Sequence, residues 1–466
     1  MVKSVTFVSV VFTLTFFTFS AAAQQKDKQH EDAVRAIYSQ ALSDGQCYPW
    51  LETLCKQVGH RLSGSVGAAK AVQWAKNTLD TLGLDSVWLQ PVMVPHWERG
   101  AAEHVEIVGG NDKKRLKIPA LALGGSVGTD GKKIQAQVVE AKSWSDLEKL
   151  GEAGIKGKIV FFNRPMDPTR IRSFEAYGGA VDQRVSGASR AAKYGAIAVV
   201  VRSMTQNVDQ WPHTGSLRYD TLVPRIPAIA ISTKDAEDLA KRLKKDPATA
   251  ISMILHCRSL PDVLSYNVIG EIRGSENPNE YILAGGHLDS WDVGEGAHDD
   301  GTGCVQSMDM LRILKKTGYK PKNTIRCVLF MNEENGLRGG TVYAAEAQRK
   351  GEKHLCAIET DAGGFTPRGF TFDGHGDVFE TLFERIKPLR PYFEPYNMTL
   401  NPGGGGADIG PLKPQNVLLC GYYPDSQRYF DFHHTAADVF EVVNKRELEL
   451  GAGSLAALIY LLDGIF

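Results

Sequence analysis

The segment YILAGGHLDSWDVGEGAHDDGTGCVQSMDMLRILKK, residues 281–316, joins an apolar run to an amphipathic run through a loop rich in glycine and acid. The opening YILAGGH has the composition of a buried strand. Beyond the loop, Cys304, Met308 and Leu311 fall at the i, i+4 and i+7 positions of one helical face. The segment therefore predicts a buried strand followed by a helix.

The same alternation of strand and helix extends to both sides of this segment. It comprises SYNVIGEI at 265–272, YILAGGH at 281–287, a helix over 303–316, TIRCVLFMN at 324–332, a helix through TVYAAEAQRKG at 341–351, and LCAIETDAG at 355–363. All-apolar strands that alternate with helices predict an α/β fold with a mainly parallel central sheet flanked by helices. Such sheets place their chemistry just beyond the carboxyl ends of the strands.

Acidic and histidine side chains gather where these predicted strands end. They are His287, Asp289, Asp299, Asp300, Glu333, Glu334, Asp361, His433 and His434. So many carboxylates at one sheet edge are costly unless cations lie among them. A donor set of nitrogen and oxygen without a thiolate fits a catalytic zinc site, and two ions fit better than one. Two alternatives stay open, namely that Asp299 only caps the following helix and that Asp289 only orients a neighbour.

The adjacent Glu333 and Glu334 indicate the reaction type. Neighbours in a strand point to opposite faces, so both can reach one site only if the chain has already turned, as Asn332 and Gly336 allow. One glutamate can then bind a metal while the other takes a proton from water. That division of roles is typical of a metallohydrolase.

The ordered motifs H-x-D, D-D-x-x-G, E-E, E-x-D-A-G and H-[HST] resemble those of the M28 family of co-catalytic zinc aminopeptidases, over nearly the whole mature chain. The resemblance implies two Zn²⁺ per chain and a homodimer. It implies that His287 and Asp361 bind one zinc, that Glu334 and His434 bind the other, and that Asp299 bridges them. Glu333 would be the general base and general acid, and Asp289 would hold the His287 imidazole.

Two further histidines, His433 and His298, lie next to predicted ligands in the sequence. The family's ligand directly precedes a small hydroxyl residue, and Thr435 follows His434 here, so His434 is preferred over His433. His298 precedes the bridging aspartate, but the family does not use this position as a ligand. The glycine run NPGGGGADIG at 401–410 lacks the context of a phosphate loop and is expected to form a wall of the cleft.

A chain of 466 residues is too long for one ordinary core, so more than one domain is expected. The pattern predicts a signal peptide at 1–23, a catalytic domain made of 24–115 and 262–466, and an inserted α+β module at 116–261 that resembles a protease-associated domain. The module contains apolar strands such as AIAVVVRS at 196–203 but no cluster of acid and histidine. It is therefore expected to lie beside the cleft without contributing a metal ligand.

The N-terminus predicts export. Lys3, a long apolar run and the small residues SAAAQ form a signal peptide with cleavage near Ala23, and an uncleaved anchor is the alternative. The protein would then be periplasmic or secreted, and no later segment is expected to span a membrane. Seven cysteines, an odd number, do not predict a disulfide framework. The near balance of 53 basic and 54 acidic residues argues against nucleic acid as a partner.

Three functions follow from these features. The leading one is an exported co-catalytic di-zinc exopeptidase that hydrolyses the N-terminal peptide bond of short peptides or dipeptides. The second keeps the site but takes N-acylated amino acids or acidic C-terminal residues, for which Arg338, Arg368 and Arg428 are available. The third is a non-catalytic binding protein, and the complete set of predicted ligands argues against it.

Overall fold

The structure is a computed structural model that describes residues 8–111 and 113–466, with only the backbone described for residues 8–24 and residue 26. The first seven residues of the expected signal peptide lie outside the described residues. Residues 8–23 belong to a helix that runs from Val8 to Ser43 and so extends across the expected cleavage site. Cleavage there stays a prediction.

The described residues form sixteen strands. In chain order they are β1 (Ser86–Glu98), β2 (His104–Val108), β3 (Arg115–Lys117), β4 (Ala120–Ala122), β5 (Ile134–Ala141), β6 (Ile159–Phe162), β7 (Ala198–Arg202), β8 (Ala228–Ile231), β9 (Ala250–Ile254), β10 (Arg258–Ile272), β11 (Asn277–His287), β12 (Asn323–Phe330), β13 (Lys353–Glu359), β14 (Pro367–Asp373), β15 (Thr399–Pro402) and β16 (Leu418–Pro424).

The same residues form thirteen α-helices. They are α1 (Val8–Ser43), α2 (Cys47–Thr53), α3 (Val66–Asp80), α4 (Trp144–Ile155), α5 (Ser173–Gly178), α6 (Asp182–Ala192), α7 (Thr233–Lys245), α8 (Thr302–Lys316), α9 (Arg338–Lys350), α10 (Gly376–Ile386), α11 (Arg390–Phe393), α12 (Tyr429–Phe432) and α13 (Lys445–Ile465). Short 3₁₀ or π turns occupy Leu54–Val58, Ala297–Gly301, Lys387–Leu389, Glu394–Tyr396, Gly410–Gln415, Ser426–Arg428 and Phe440–Val442.

The first sheet has eight strands in the order β1-β10-β12-β11-β13-β16-β14-β15. Its centre is parallel, because β12, β11, β13 and β16 run in one direction, as the alternation of strand and helix predicts. Towards one edge β12, β10 and β1 pair antiparallel, and β14 pairs antiparallel with β16 towards the other. The carboxyl ends of the four central strands therefore meet at one edge of the sheet.

Both faces of this sheet are covered by apolar side chains. Along β11, Ile282 and Ala284 belong to the core packed under α1, α2, α3, α8 and α13, whereas Leu283 faces the smaller core under α9. All seven cysteines of the chain are buried and unpaired. Burial on both faces explains why the central strands read as continuous apolar runs.

The last helix corrects one expectation. Among the described residues, α13 is the one helix that is long and apolar enough to cross a membrane by length and composition, although no such segment was expected after the signal peptide. Most of its apolar stretch is buried inside the protein, where it packs against α8 and α1. A helix that is apolar all round is also what a central core position requires.

The second sheet also has eight strands, in the order β3-β2-β9-β5-β6-β7-β8-β4. It includes β2, which pairs with β9 from His104↔Ile254 to Val108↔Ala250. The expected boundary at 115/116 falls within β3, which pairs with β2 in this sheet. The boundary at 261/262 falls within β10, which pairs with β1 in the first sheet. Alternation in EHVEIVG predicts a strand but contains no information about which sheet the strand joins.

Candidate active site

The predicted ligand residues converge at the carboxyl edge of the first sheet. Nε2 of His287 lies 3.1 Å from Oδ1 of Asp299 and 3.7 Å from Oδ1 of Asp361. Nε2 of His434 lies 3.2 Å from Oδ2 of Asp299 and 3.1 Å from Oε2 of Glu334. Asp299 thus presents one carboxylate oxygen to each histidine.

Each of these side chains is delivered by the end of a different element. His287 is the last residue of β11, and Asp299 lies in the turn Ala297–Gly301 that precedes α8. Asp361 follows β13 by two residues, and His434 follows α12 by two residues. His287 and Asp361 meet because the parallel strands β11 and β13 end at the same edge of the sheet. His434 follows a helix and not the strand that the sequence predicted.

A second set of carboxylates holds the backbone around Asp299. Asp438 accepts hydrogen bonds from the N–H groups of His298 at 2.8 Å and Asp299 at 3.2 Å. Asp300 accepts from the N–H groups of His287 and Gly303, both at 3.0 Å. Asp300 rather than Asp299 therefore satisfies a free N–H at the start of α8. The sequence contains no signal for the role of Asp438.

Asp289 contacts the His287 imidazole and the turn after β12 through different atoms. Nδ1 of His287 lies 2.9 Å from the backbone oxygen of Asp289, not from its carboxylate. The carboxylate oxygen Oδ1 instead accepts hydrogen bonds from the N–H groups of Asn332 at 2.7 Å and Glu333 at 3.1 Å. Asp289 orients the imidazole through its main chain, and its side chain fixes the turn that carries the two glutamates.

That turn brings both glutamates to the site. Asn332 has φ 79°, a left-handed conformation that asparagine tolerates better than most residues, and its backbone oxygen accepts from the N–H of Leu337 at 2.5 Å. The Asn332 side chain donates to the hydroxyl of Ser63 at 2.9 Å. Oε1 of Glu334 accepts from the N–H of Trp291 at 3.2 Å. The chain has thus left the strand before Glu333, and this allows both glutamate side chains to reach the site.

Burial and mutual repulsion raise proton affinity at this edge. Burial raises the pKa of Glu333 well above its usual range, and the nearby Asp361 and Glu334 carboxylates add to the effect. Burial together with Asp299 raises the pKa of Glu334 to about 7. Burial would also raise the pKa of Asp299, but contacts with His287 and His434 lower it well below its usual range. A cluster of this kind is stabilised by cations.

The donor atoms fit zinc. The His287, Asp299 and Asp361 donors lie within 4.8 Å of one another, as do those of Asp299, His433 and His434, so Asp299 is common to both groups. Nε2 of His287 and Oδ2 of Asp299 are buried and make no hydrogen bond. Imidazole and carboxylate donors without a thiolate are typical of catalytic zinc.

The two adjacent histidines are distinguished by their contacts. Their rings stack with centroids 3.5 Å apart, and Nε2 of His433 lies 3.7 Å from Oδ2 of Asp299. His434 is nearer to that oxygen, and it also contacts Glu334. His298 stacks on Phe365 at 4.2 Å, and its Nδ1 accepts from the N–H of Gly364 at 3.2 Å. The geometry favours His434 as a ligand and gives His298 a packing role.

A cavity of 460 Å³ opens onto the carboxylates. It is lined by loops of the first sheet and by residues of the segment 104–254, which forms the second sheet. The residues after β6 and β7 supply Phe174, Tyr177, Arg184, Ser216, Leu217 and Arg218. Sequence reasoning missed these residues, because nothing in their pattern distinguishes them from surface residues of a separate module. Arg338, Arg368 and Arg428 do not line the cavity and pair with Asp262, Asp425 and Glu447.

The second sheet's segment also contacts the backbone of two predicted ligands. The N–H of Thr214 donates to the backbone oxygen of His434 at 3.0 Å. The hydroxyl of Ser216 donates to the backbone oxygen of Glu334 at 2.7 Å. The segment supplies none of the predicted ligands, yet it holds two of them in position.

The glycine run forms a wall beside the site. Residues 403–407 line a neighbouring cavity of 320 Å³ together with Glu359 and Asp361. Glu359 accepts hydrogen bonds from the N–H groups of Ala407 at 2.8 Å and Ile409 at 3.0 Å. Gly406 has φ +145°, and a Cβ on it would lie 2.4 Å from the carboxyl carbon of Glu359. Only glycine permits this close approach.

Comparison with known proteins adds to this geometry. Residues 267–458 match the model of Peptidase family M28. The chain is 34% identical over 426 residues to carboxypeptidase Q of Bos taurus, covering 91% of this chain and 86% of that protein. The chain belongs to peptidase family M28.

Two solved structures have a similar fold. A Peptidase M28 precursor from Shewanella amazonensis has a TM-score of 0.88 and 32% identity, covering 94% of this chain and 97% of that one. A zinc aminopeptidase from Bacillus subtilis, with a TM-score of 0.63 and 20% identity over 89% of this chain and 94% of that one, shares the fold. The chain described here is therefore a peptidase of family M28.

Proposed function

We propose that this M28 peptidase is an exported co-catalytic di-zinc exopeptidase that hydrolyses the N-terminal peptide bond of short peptides or dipeptides. The observation that carries the proposal is the position of Asp299. Its Oδ1 lies 3.1 Å from Nε2 of His287 and its Oδ2 lies 3.2 Å from Nε2 of His434. One carboxylate between two histidines is the arrangement that a bridging ligand of two ions requires.

The remaining ligands divide between the two histidines. Asp361 lies on the side of His287 and Glu334 lies on the side of His434, so each ion would receive one imidazole, one further carboxylate and the shared Asp299. Bound zinc would polarise the scissile carbonyl and lower the pKa of the attacking water. The carboxylates present are enough to balance two divalent cations.

Glu333 is proposed as the proton carrier. Its side chain lines the cavity, and the N–H of the same residue is fixed by Asp289 at 3.1 Å. Burial raises its pKa well above the usual range, so its carboxylate holds a proton more readily than an exposed glutamate does. Glu333 would take the proton from water and give it to the leaving amine.

The alternative functions have less support. N-acylated amino acids or acidic C-terminal residues would want arginines near the cleft, but Arg338, Arg368 and Arg428 pair with carboxylates outside the cavity. Only Arg184 and Arg218, which line the cavity, are left to serve this alternative. A non-catalytic binding protein has no use for a complete set of ligands together with the half-buried Glu333 at the cavity. A free N-terminus on a short peptide stays the proposed substrate.

Location and assembly complete the proposal. Export follows from the signal-like N-terminus, and cleavage near Ala23 would place the mature protein in the periplasm or outside the cell. A homodimer follows from the family resemblance. N-terminal sequencing of the mature protein and light scattering in solution test these two parts.

The central test is an activity panel on purified mature protein. Free dipeptides, N-acetylated dipeptides and aminoacyl anilides should be assayed before and after chelation, with zinc added back. We expect hydrolysis of substrates with a free N-terminus, loss on chelation and recovery with zinc, and anomalous scattering should show two ions bridged by Asp299. A single ion per chain, or a preference for N-acetylated substrates, would contradict the proposal.

A further inference from the structure

Two tyrosines line the cavity together with the predicted catalytic carboxylates. Tyr177 lies in α5, and Tyr429 is the first residue of α12. The hydroxyl of Tyr429 donates to Oδ1 of Asp361, a predicted metal ligand, at 3.4 Å. Tyr177 belongs to the segment 104–254, which supplies none of the predicted ligands. Its hydroxyl is therefore available for a different purpose.

The hydrogen of the Tyr177 hydroxyl is not used within the protein. Nη2 of Arg184 donates to the Tyr177 oxygen at 2.7 Å. A guanidinium can only donate, so the phenol accepts in this contact and its own O–H stays free. This hydroxyl donates to no acceptor among residues 8–111 and 113–466. Burial raises the pKa of Tyr177, so the phenol keeps its proton at neutral pH.

The position of this hydroxyl is fixed by packing. The ring of Tyr177 stacks on Phe430 with centroids 4.7 Å apart and meets the ring of His433 edge-on at 5.3 Å. At the start of α5, the hydroxyl of Ser173 donates to the backbone oxygen of Ser426 at 2.8 Å. A donor that is already held in place needs no reorganisation when charge develops beside it.

The proposed reaction develops such a charge. The water oxygen bonds to the carbonyl carbon, Glu333 takes one water proton, and the π electron pair of the carbonyl moves onto its oxygen. When the carbonyl re-forms, the C–N bond breaks and the amine leaves with the proton from Glu333. The other water hydrogen stays on the new carboxyl group, which ionises. Between the two steps the former carbonyl oxygen is negative, and a fixed donor stabilises it.

We infer that Tyr177 is a catalytic residue that donates a hydrogen bond to the scissile carbonyl oxygen as that oxygen becomes negative. The inference rests on the proposed function, because it adds a residue to the same reaction. The cation of Arg184 polarises the phenol and makes its O–H a stronger donor. The segment 104–254 then contributes to the chemistry itself, beyond forming a wall of the cleft.

The experiment compares wild type and Tyr177→Phe, both loaded with zinc, on Ala-Ala and on alanine anilide. The anilide has no carboxylate, so it separates the carbonyl oxygen from the C-terminus of the substrate. Loss of one donor to such an oxygen costs about 100-fold or more in kcat. We expect that loss on both substrates with little change in KM, because the contact forms only in the transition state.

A binding measurement gives a readout that does not depend on turnover. A phosphinic analogue of Ala-Ala, with PO₂–CH₂ in place of CO–NH, imitates the tetrahedral state. Calorimetry should show that Tyr177→Phe weakens it about 10- to 100-fold, the usual size for a hydrogen bond to a charged group. Affinity for Ala-Ala itself, measured on a Glu333→Gln background, should not change. Zinc content and melting temperature should match those of wild type.

Tyr194→Phe is the matched control. Tyr194 packs against the same apolar core as Tyr177 but does not line the cavity, so its variant should behave as wild type in every assay. Unchanged kcat and unchanged phosphinate affinity in Tyr177→Phe would overturn the inference and leave the proposed function in place. A loss confined to KM for Ala-Ala, or a loss of zinc, would also overturn it. Hydrolysis of neither substrate by wild type would overturn the proposed function and the inference together.

Discussion

The carboxylate of Asp289 accepts a hydrogen bond from the backbone N–H of Glu333 at 3.1 Å. The same oxygen accepts from the N–H of Asn332 at 2.7 Å. The imidazole of His287 meets Asp289 through the backbone oxygen and not through the carboxylate. Asp289 therefore links the strand end that carries a predicted metal ligand to the turn that carries the predicted base. Its side chain and its main chain serve different residues.

This arrangement predicts a separation of activity from metal binding. Asp289→Ala should lower kcat about 10- to 100-fold, the usual size of the effect of an orienting residue, because the Glu333 turn loses its acceptor. Zinc content should stay unchanged, since the backbone oxygen that contacts His287 remains. Asp289→Asn keeps an acceptor oxygen and should retain most activity. Loss of zinc in both variants, measured by elemental analysis, would show that the charge of Asp289 acts on His287 instead.

Glu333 and Glu334 are neighbours with identical side chains and opposite proposed roles. Glu333→Gln should reduce turnover by about two to four powers of ten, because an amide cannot accept the proton. Its metal content should stay at two ions. Glu334→Gln should weaken one metal, because a neutral amide is a poor ligand beside His434. If instead Glu333→Gln loses a metal and Glu334→Gln keeps both, the assignment is reversed.

The stacked histidines offer a second matched pair. His434→Ala should remove one ion per chain, because it takes away the imidazole between Asp299 and Glu334. His433→Ala should keep both ions, because His433 lies 3.7 Å from Asp299 and, unlike His434, forms no ion pair with Glu334 among the described residues. Metal stoichiometry after dialysis against buffer decides between them. Retention of two ions by His434→Ala would assign the ligand to His433.

In the glycine run, substitution by alanine is expected to destabilise the protein at one position and not at another nearby. Gly406→Ala would place a methyl group 2.4 Å from the carboxyl carbon of Glu359, in a backbone conformation that alanine adopts with strain. We expect it to lower the free energy of unfolding by about 1–3 kcal/mol. Gly404→Ala is the control, because a Cβ there meets nothing within 4 Å. Equal melting temperatures for the two variants would contradict the close approach.

The contacts of the second sheet's segment decide how its role can be tested. Thr214 and Ser216 hydrogen-bond to the backbone of His434 and Glu334, so removal of the whole segment would disturb the predicted ligands along with the cavity wall. Point substitutions such as Tyr177→Phe leave those contacts intact. They are therefore the sharper test of what the segment contributes.

The sequence by itself determined the chemistry at the sheet edge. Apolar strands of TIRCVLFMN type, each followed by acid or histidine, can deliver those side chains to one place because parallel strands end together. That rule brought nine acidic and histidine residues into one predicted site without any knowledge of distances, and the family resemblance selected His287, Asp299, Glu334, Asp361 and His434 among them. The pairing of adjacent glutamates after a turn was predictable for the same local reason.

Only the tertiary structure decided which partners these residues have across long stretches of chain. Alternation along β2 does not reveal that it pairs with β9, and apolar composition does not reveal that α13 packs in the core. The contact of Asp289 with the Glu333 turn joins residues 44 positions apart. Arg184 and Arg218 line the cavity from helix α6 and from the connection between β7 and β8. Local patterns specify the periodicity of apolar residues and the local turns. Contacts between distant parts of the chain depend on how whole helices and strands pack.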